Sequence, residues 1–558
     1  MSLSPDTIGA VPEETARIAR RAFPKSNLCL RLRDEVGTVY NDQMFAQLFS
    51  KRGQPAEAPW RLALVLVLQF AEGLTDRQAA DAVRGRIDWK YLLGLELSDP
   101  GFDASVLCEF RARIVGGSLE ELFLDALLAT CKARGWLKAR GTQRTDSTHV
   151  LAAIRVVTRL ELVGETMRAA LNSLSVVAPE WLAAHVTADW FDRYSHRVES
   201  YRLPKQSEAC RQWAVMNGKD GMQLLSALYD PAAPAWLRQV PAVEVLRRIW
   251  IQQYVIENGH LRWRMSEELP PGALLICSPY DVEARYSKKR STEWTGYKAH
   301  LTEACEQDQP HLITHVETTV ATTPDGAVVE TIHQSLAEKE LLPAEHLMDT
   351  GYVDAGVLVE SREKHEVDVC GPVPPDTTWQ KRAGEGFDIA CFVVDWEAEK
   401  VHCPGGKVSN EWLPHKVRHG NTDTSVRFAK ADCDACSMRS LCTTGTKIGR
   451  QLALRPRAQY EALQAMRKQQ DTEEFKHKYA PRAGIEGTIS EAVRMNELRR
   501  SRYRGEEKTH LQHVLLAVAL NFGRLDMWWQ ERVDGTLRRI RTPRFAILGQ
   551  TLRLTEAV

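Results

Sequence analysis

The change of hydrophobic period along the chain is the feature that most limits its possible folds. Apolar residues recur at helical spacing up to about residue 140, and a polar, β-branched segment at 141–151 then suits a single strand. Helical spacing returns, and after Pro279 two segments alternate at period two before a helix, a strand, a helix and a strand. This order predicts a mixed α/β sheet whose first strand is followed by a helical insertion.

The length of 558 residues predicts three or four domains at roughly 150 residues each. The periodicity and a local enrichment in Gly, Pro, Thr and Cys place the boundaries. We expect a helical N-terminal domain (1–140), a core (141–373) with a helical insertion (156–265), a Cys-rich insertion (374–455), helices that complete the core (456–530) and a basic tail (531–558).

Composition excludes several classes of protein. Hydrophobic residues make up 44% and charged residues 26%, which argues against a disordered or fibrous chain. The 73 basic residues balance the 73 acidic ones, so a uniformly basic nucleic-acid coat protein is excluded but a local basic face is not. The longest apolar runs, 62–70 and 513–522, are too short to span a bilayer, and no signal-peptide pattern is visible. With sparse cysteines, we expect a cytoplasmic protein without a membrane partner.

Three acidic residues lie where separate structural elements are predicted to begin or end. Asp146 lies in the first predicted strand, Asp349 ends a later one, and Glu486 lies beside a helix start. Metal-dependent phosphodiester cleavage uses carboxylates that converge from separate elements on two ions. Taken singly, each acid is equally well explained as a solvated strand end or a helix cap.

The motifs around these acids occur in a specific order. DSTH begins at Asp146, DTGY begins at Asp349, and Tyr479, Arg482 and Glu486 form Y-x2-R-x3-E. Together they resemble the DDE transposases of bacterial insertion sequences. GIEGTISEAVR and RYRGEEKTHLQH resemble the insertion-sequence-1182 group in particular. The resemblance extends from near Tyr40 to about residue 522.

The resemblance implies a fold, a site and partners. It implies an RNase H-like catalytic domain in which Asp146, Asp349 and Glu486 hold two Mg²⁺ (or Mn²⁺) ions. The partners implied are DNA, as transposon-end inverted repeats and as target, and a second copy of the chain, since the ends are paired in a synaptic homodimer. When bound to DNA, such a protein is associated with the nucleoid.

The sequence departs from the family signature at one position. The family signature has a lysine on the same helix after its glutamate. At that position this chain has Val493, and Arg494 is the next residue. At about 100° per residue, Arg494 is turned by roughly 80° from Glu486 on a helix. Arg482 is the better candidate for binding a phosphate or orienting a carboxylate, because its guanidinium suits both. Tyr479 is either a DNA contact or a packing aromatic.

Four cysteines lie within forty residues, at Cys403, Cys433, Cys436 and Cys442. A C-x2-C pair with two further thiolates suits tetrahedral zinc, and a loop-rich segment with little core is ordered by such a metal. We therefore predict a structural Zn²⁺ site. Unrelated reduced cysteines remain the alternative, and nearby histidines could replace one ligand (His402, His415 and His419).

Two basic segments interrupt the neutral average and are candidates for DNA contact. The first contains Lys288, Lys289, Arg290 and Trp294, and the second contains Arg500, Arg502 and Arg504. Bases suit phosphates and aromatic rings can stack on an unpaired base, although a solvated charged face has the same composition. The segment 538–544 adds a further basic run of undetermined role.

The N-terminal helices suit either a DNA-binding helix-turn-helix or an ordinary helical bundle. The sequence as a whole predicts a DNA transposase that cleaves transposon ends and joins them to target DNA. Two alternatives remain: a catalytically inactive, transposase-derived DNA-binding protein, and an RNase H-like nuclease without strand transfer.

Overall fold

The computed structural model describes residues 2–3, 8–416 and 422–534. As predicted, its N-terminal region is helical. The fourth of its helices begins after Thr75, whose hydroxyl oxygen accepts a hydrogen bond from the Gln78 amide. The helices are α1 (Glu13–Ala22), α2 (Leu28–Arg31), α3 (Pro59–Ala71), α4 (Asp76–Gly85), α5 (Ile87–Leu93), α6 (Ser105–Gly116) and α7 (Leu122–Ala133).

A six-stranded mixed sheet forms the centre of the molecule, which confirms the predicted mixed α/β class. Its strands come from three separate stretches of sequence, and the helices α13 (Val329–Glu338) and α14 (Ala355–His365) connect the last three of them. The strands are β1 (Thr142–Leu151), β4 (Arg285–Lys289), β5 (Thr292–Ala304), β6 (Ile313–Val320), β7 (Glu345–Met348) and β8 (Asp368–Cys370).

The sheet order places the first strand in the interior. β5 pairs with β4, β6 and β1, all antiparallel, and β1, β7 and β8 then run parallel to one another. α14 is the crossover that the parallel neighbours β7 and β8 require, and α13 carries the chain from β6 past β5 and β1 to β7. The carboxyl end of β7 therefore lies beside the middle of β1.

Between β1 and β4 the predicted helical insertion forms a separate layer with its own apolar core. Its elements are α8 (Arg159–Val177), α9 (Pro179–Ala183), α10 (Ala188–Tyr194), α11 (Ser207–Leu228), α12 (Pro241–Gln253), β2 (Tyr254–Glu257) and β3 (His260–Trp263). α11 and α12 approach closely because position 221 is glycine: a Cβ there would lie 2.2 Å from the Trp250 ring.

Ten residues near the end of this insertion differ from the expected helix. Residues 254–263 form the β2–β3 hairpin, in which Tyr254 pairs with Trp263. Asn258 and Gly259 have positive φ angles of 50° and 78°. An Asn-Gly turn of this kind fits the right-handed twist of the flanking strands, so turn chemistry outweighs the helical spacing of the apolar residues.

The Cys-rich segment has short elements and a small core of its own around Phe392, Val426 and Leu454. Its elements are α15 (Trp379–Arg382), β9 (Val393–Asp395), β10 (Lys400–His402), β11 (Glu411–Lys416), β12 (Thr422–Arg427), α16 (Lys430–Asp434), α17 (Arg439–Cys442) and β13 (Gln451–Leu454). His419 lies outside the described residues.

The chain then returns to the sheet through α18 (Arg457–Gln469), α19 (Glu473–Tyr479), α20 (Gly484–Asn496) and α21 (Glu506–Asp534). α21 packs against β6, α3 and α7, so the N-terminal helices and the sheet share one apolar core. Within the described ranges, no helix combines the length and hydrophobicity that crossing a bilayer requires. The basic run at 538–544 lies outside the described residues.

Candidate active site

Asp146 and Asp349 lie side by side on neighbouring strands. Thr145 of β1 is in register with Met348 of β7, and the two aspartates are the next residues on each strand. The Ser147 amide donates to Asp146 Oδ1 at 2.7 Å, and the Gly351 amide donates to Asp349 Oδ1 at 2.9 Å. A Cβ at position 351 would lie 3.1 Å from that same Asp349 oxygen, which explains the glycine of DTGY.

Glu486 reaches the two aspartates from the first turn of α20, and Arg482 bridges the three carboxylates. The Arg482 guanidinium donates to Asp146 Oδ2 and to Glu486 Oε1, each at 2.6 Å, and its Nη2 lies 4.0 Å from Asp349 Oδ2. Arg482 is 11% exposed and Glu486 is 62% exposed. The bridge therefore runs from the floor of a cleft to its rim.

The electrostatics of the site favour a cation. Burial raises the pKa of Asp146 to about 6, and the carboxylate of Asp349 adds to this rise. The guanidinium of Arg482 and the Ser147 amide act in the opposite direction. Two adjacent carboxylates, one in the middle of β1 and one directly after β7, are costly to hold ionised without a positive partner, and Arg482 supplies that charge in this structure.

A buried ionic network fixes α20 to the sheet. Glu303 of β5 is fully buried; Arg144 of β1 and Arg524 of α21 donate to it, each at 2.6 Å. Thr488, two residues after Glu486, donates to the same carboxylate at 2.6 Å. A Cβ on Gly484 would lie 2.0 Å from Arg144 Nη1, so only glycine leaves room for that guanidinium. The network thus sets the distance between Glu486 and the strand of Asp146.

The three acids and Arg482 line a cleft of about 460 Å³. Of the predicted DNA-contacting residues, Lys289, Arg290 and Trp294 also line it. Trp294 is 5% exposed and donates its indole N–H to the Tyr297 carbonyl at 3.1 Å, so its ring is a wall of the cleft rather than a free stacking platform.

Other predicted contacts lie away from the cleft. Lys288 pairs with Glu293 at 2.6 Å, and Arg502 donates to the Leu74 carbonyl while its guanidinium lies over the Phe70 ring. Arg500 is exposed on the loop between α20 and α21. Arg494 is exposed and donates to the Ser490 carbonyl at 3.3 Å.

Two further observations concern the C-terminal signature. Val493, at the position of the family lysine, is partly buried against the core. Tyr479 stacks on Phe475 with ring centroids 5.6 Å apart, and burial raises the pKa of its hydroxyl to about 12. The ring stacking and the raised pKa both describe Tyr479 as a half-buried packing residue at the edge of the site.

Several residues that line the cleft are not among the predicted DNA contacts, including Thr148, His149, Lys298 and Arg499. Arg499 donates to Thr148 Oγ1 at 2.9 Å, and burial together with the Arg499 charge lowers the pKa of His149. Lys298 binds the Asp325 carboxylate at 2.7 Å. Arg499 and Lys298 belong to the two basic segments, but only the pairing of β1 with β5 and the course of the loop after α20 bring them to this cleft.

The four clustered cysteines converge without a closed metal geometry. A Cβ placed on Gly405 would lie 3.7 Å from both Cys403 Sγ and Cys436 Sγ, so these two sulfurs face the same small space. The amides of Lys407 and Arg450 donate to the Cys403 and Cys433 sulfurs at 3.3 Å. Burial raises the pKa of Cys442, and the other three thiols add to this rise.

At neither candidate metal site are the side chains arranged as a complete set of metal ligands. Across the described residues, no group of three or more His, Cys, Asp or Glu side chains has a geometry that could hold a metal ion. At the acidic site the guanidinium of Arg482 lies among the carboxylates. The oxygen donors nevertheless suit Mg²⁺ or Mn²⁺ in kind, and a cation would compete with Arg482 for the same oxygens.

Comparison with known families defines the class of protein. Residues 402–526 match the family model "Transposase DDE domain", and residues 18–113 match "Transposase domain (DUF772)". The first match contains Glu486 and the four cysteines, whereas Asp146 and Asp349 precede it. No curated protein matches the chain.

The mixed sheet, the acidic cleft and these two matches describe a transposase with a DDE domain, which implies an RNase H-like fold. More particularly, the two matches support the assignment of the chain to the DDE transposases of insertion sequences, with DNA as its partner.

Proposed function

We propose that this transposase cleaves transposon ends and joins them to target DNA at the cleft of Asp146, Asp349 and Glu486. One observation carries the proposal. Three acids that lie more than a hundred residues apart in sequence line one cleft with Lys289, Arg290 and Arg499. An acidic floor with basic walls is the arrangement that cation-assisted attack on a DNA phosphate requires.

Each residue of the cleft has a distinct task in this proposal. Asp146, Asp349 and Glu486 would hold Mg²⁺ or Mn²⁺, which supplies charge stabilisation and activates the attacking oxygen. Arg482 orients Asp146 and Glu486 before DNA binds and offers its fork to a phosphate oxygen afterwards. Lys289, Arg290 and Arg499 hold the phosphodiester backbone against the carboxylates. The same site would serve cleavage by water and then attack by the freed 3′-hydroxyl.

A cleavage assay on labelled duplexes that carry the element's own ends tests this proposal. With Mg²⁺ present, the wild-type protein should release the end and join it to a target plasmid. Asp146→Asn, Asp349→Asn and Glu486→Gln should abolish both steps while DNA binding persists. Asp308→Asn, which changes an exposed aspartate paired with Lys138, is the matched control and should cleave normally.

The outcome of this assay separates the alternatives. Binding without cleavage by the wild-type protein would favour an inactive, transposase-derived DNA-binding protein. Cleavage without joining would favour a nuclease. Cleavage that survives Asp146→Asn would refute the assignment of the site.

We also propose that the Cys-rich segment binds one structural Zn²⁺ through Cys403, Cys433, Cys436 and Cys442. Backbone N–H groups that donate to the Cys403 and Cys433 sulfurs support this, because such donors stabilise thiolate ligands. Elemental analysis should find about one zinc per chain. Cys436→Ser should lower that content, whereas Cys391→Ser, an exposed cysteine of the same segment, should not. A folded, zinc-free protein would contradict the proposal.

The expected homodimer follows from the need to hold two ends together during strand transfer. We propose that it forms on DNA. Mass measurement of the complex with end duplexes should give two chains per pair of ends, and a complex with one chain would contradict it.

A further inference from the structure

A second basic cleft lies where the helical insertion meets the sheet. It has a volume of about 260 Å³ and is lined by four arginines: Arg155 of the turn before α8, Arg168 and Arg197 of the insertion, and Arg504 of the loop before α21. We call it the arginine cleft. None of the four belongs to the acidic cleft described above, and two of them come from the insertion, which has its own core.

Two of these arginines are already paired inside the protein. Arg155 donates to Glu161 at 2.8 Å and to the Val198 carbonyl at 2.7 Å. Arg168 forms a two-pronged contact with Glu165, at 3.0 and 3.1 Å. These acids are nearly buried, and their contacts hold the two guanidinium groups in place at the wall of the cleft.

The other two arginines have no carboxylate partner among the described residues. Arg197 is exposed and its side chain makes no hydrogen bond or ion pair with the described residues, while Arg504 lies over the Tyr280 ring, 5.2 Å from its centroid. The cleft therefore has two guanidinium groups that are paired with Glu161 and Glu165, and two that have no carboxylate partner among the described residues. The net excess is two positive charges, both on arginines that are free to bind an external anion.

The loop between α20 and α21 joins the two clefts. Its start is fixed to the end of β1, where the Leu151 amide donates to the Arg499 carbonyl at 2.8 Å and the Ser501 amide donates to the Leu151 carbonyl at 2.9 Å. Arg499 reaches the acidic cleft, and Arg504, five residues later, reaches the arginine cleft. Arg500 and Arg502 lie between them in sequence and are exposed, so the loop carries four arginines in six residues.

The spacing of the clefts suits one DNA duplex. Asp146 lies five residues before the end of β1, and the lining residue Ile154 follows that end by three. At about 3.3 Å per strand residue, the end of β1 lies roughly 17 Å from Asp146. The chain turns after Leu151, so Ile154 lies within roughly 24 Å of Asp146, and this range corresponds to about 5–7 nucleotides along one DNA strand.

We propose that the arginine cleft binds phosphates of the transposon-end DNA about five to seven nucleotides from the scissile phosphate. The inference rests on the function proposed above. It gives the helical insertion a role in holding the DNA, since the cleft is incomplete without either the insertion or the loop after α20.

The salt dependence of DNA binding tests this proposal. With a 40-bp end duplex, Arg197→Ala and Arg504→Ala should each weaken binding by about ten-fold, because each removes a charged hydrogen bond. Each should also reduce the slope of log K against log salt by about 0.9, so the double variant should lose about 1.8. Arg248→Ala, an exposed arginine on α12 outside the cleft, is the matched control and should leave affinity and slope unchanged.

Phosphate-ethylation interference locates the contact. Ethylation about five to seven nucleotides from the cleaved position should impair binding of the wild-type protein and have no effect on the double variant. Thermal melting should confirm that the variants are folded, since neither arginine holds an internal ion pair among the described residues.

The outcomes separate the two proposals. If the wild-type protein binds no duplex DNA, the proposed function fails. If it binds and the double variant keeps the wild-type affinity and slope, the arginine cleft is not a DNA site, while the proposed function stands. If calorimetry finds that inorganic phosphate binding is lost in the double variant but DNA binding is not, the cleft is a small-anion site, and the DNA proposal is overturned.

Discussion

Replacing Glu303 with glutamine should both destabilise the protein and impair its active site. The carboxylate is fully buried and accepts from Arg144, Arg524 and Thr488, each at 2.6 Å. Glutamine has one acceptor oxygen, and its amide hydrogens would face guanidinium donors. Among the described residues, this leaves nearly buried Arg144 without a carboxylate partner and Arg524 with only Glu491, 3.6 Å away. Breaking a buried ion pair on one side costs about 3–5 kcal/mol. At about 2–4 °C per kcal/mol, the melting temperature should fall by roughly 6–20 °C.

The same change should separate α20 from β1, since Thr488 and Arg144 would lose their common acceptor. DNA cleavage by Glu303→Gln should therefore be reduced even well below its melting temperature. Glu340→Gln is the control: Glu340 is 81% exposed and, among the described residues, pairs only with Lys132, so its loss should change neither melting nor cleavage. Calorimetry and the end-cleavage assay measure both effects. A Glu303→Gln protein that melts within about 2 °C of the wild type would refute the reasoning.

Three more predictions follow from the same geometry. Arg482→Lys keeps the charge but loses the fork that bridges Asp146 and Glu486, so cleavage should fall by about 100-fold with melting unchanged; a wild-type rate would contradict the bridging role. Gly221→Ala places a Cβ 2.2 Å from the Trp250 ring and should destabilise the insertion by about 1–3 kcal/mol, visible as faster proteolysis within residues 156–265. Gly523→Ala, at an open helical position, should instead stabilise the protein by about 0.5–1 kcal/mol. Burial lowers the pKa of His300 and His333 to about 4 and that of His513 to about 3. The pKa values of these histidines in the folded protein lie below the ordinary value of 6.5, so their contribution to the free energy of unfolding is fully present above pH 6.5. As the pH falls towards 4, the free energy of unfolding should decrease, at roughly 3–4 kcal/mol per pH unit near pH 5. A melting temperature that stays constant from pH 7 to pH 5 would contradict this.

The sequence predicted five of the six strands of the central sheet because their signals are local, but it did not predict the short strand β4. The period-two alternation of β5 and β6 and the polar strand of Asp146 are readable from side-chain order alone, as are the helices between β6 and β8. The prediction was wrong where two local signals compete: the apolar spacing at 254–263 is helical, but Asn258 and Gly259 turn that segment into a hairpin.

The candidate site was readable from sequence only in part. Motif order indicated Asp146, Asp349, Glu486 and Arg482, and these four line one cleft. Lys298 and Arg499 also line it, although they belong to basic segments whose other members, such as Lys288 and Arg502, are paired elsewhere. Spacing along a strand or loop does not say which base of a segment faces the site, because that depends on which neighbouring strand it pairs with.

By itself, the sequence indicated which residues we propose for the chemistry, namely the three acids and Arg482, and the order of the elements that hold them. Only the tertiary structure decided how they meet. Parallel pairing of β1 with β7 sets Asp146 beside Asp349, and the buried network around Glu303 sets the position of α20 and Glu486. The arginine cleft likewise exists only where the insertion contacts the loop after α20. The physical reason is that pairing register and buried charge networks are long-range interactions, between residues some 160 to 340 positions apart, which no local pattern encodes.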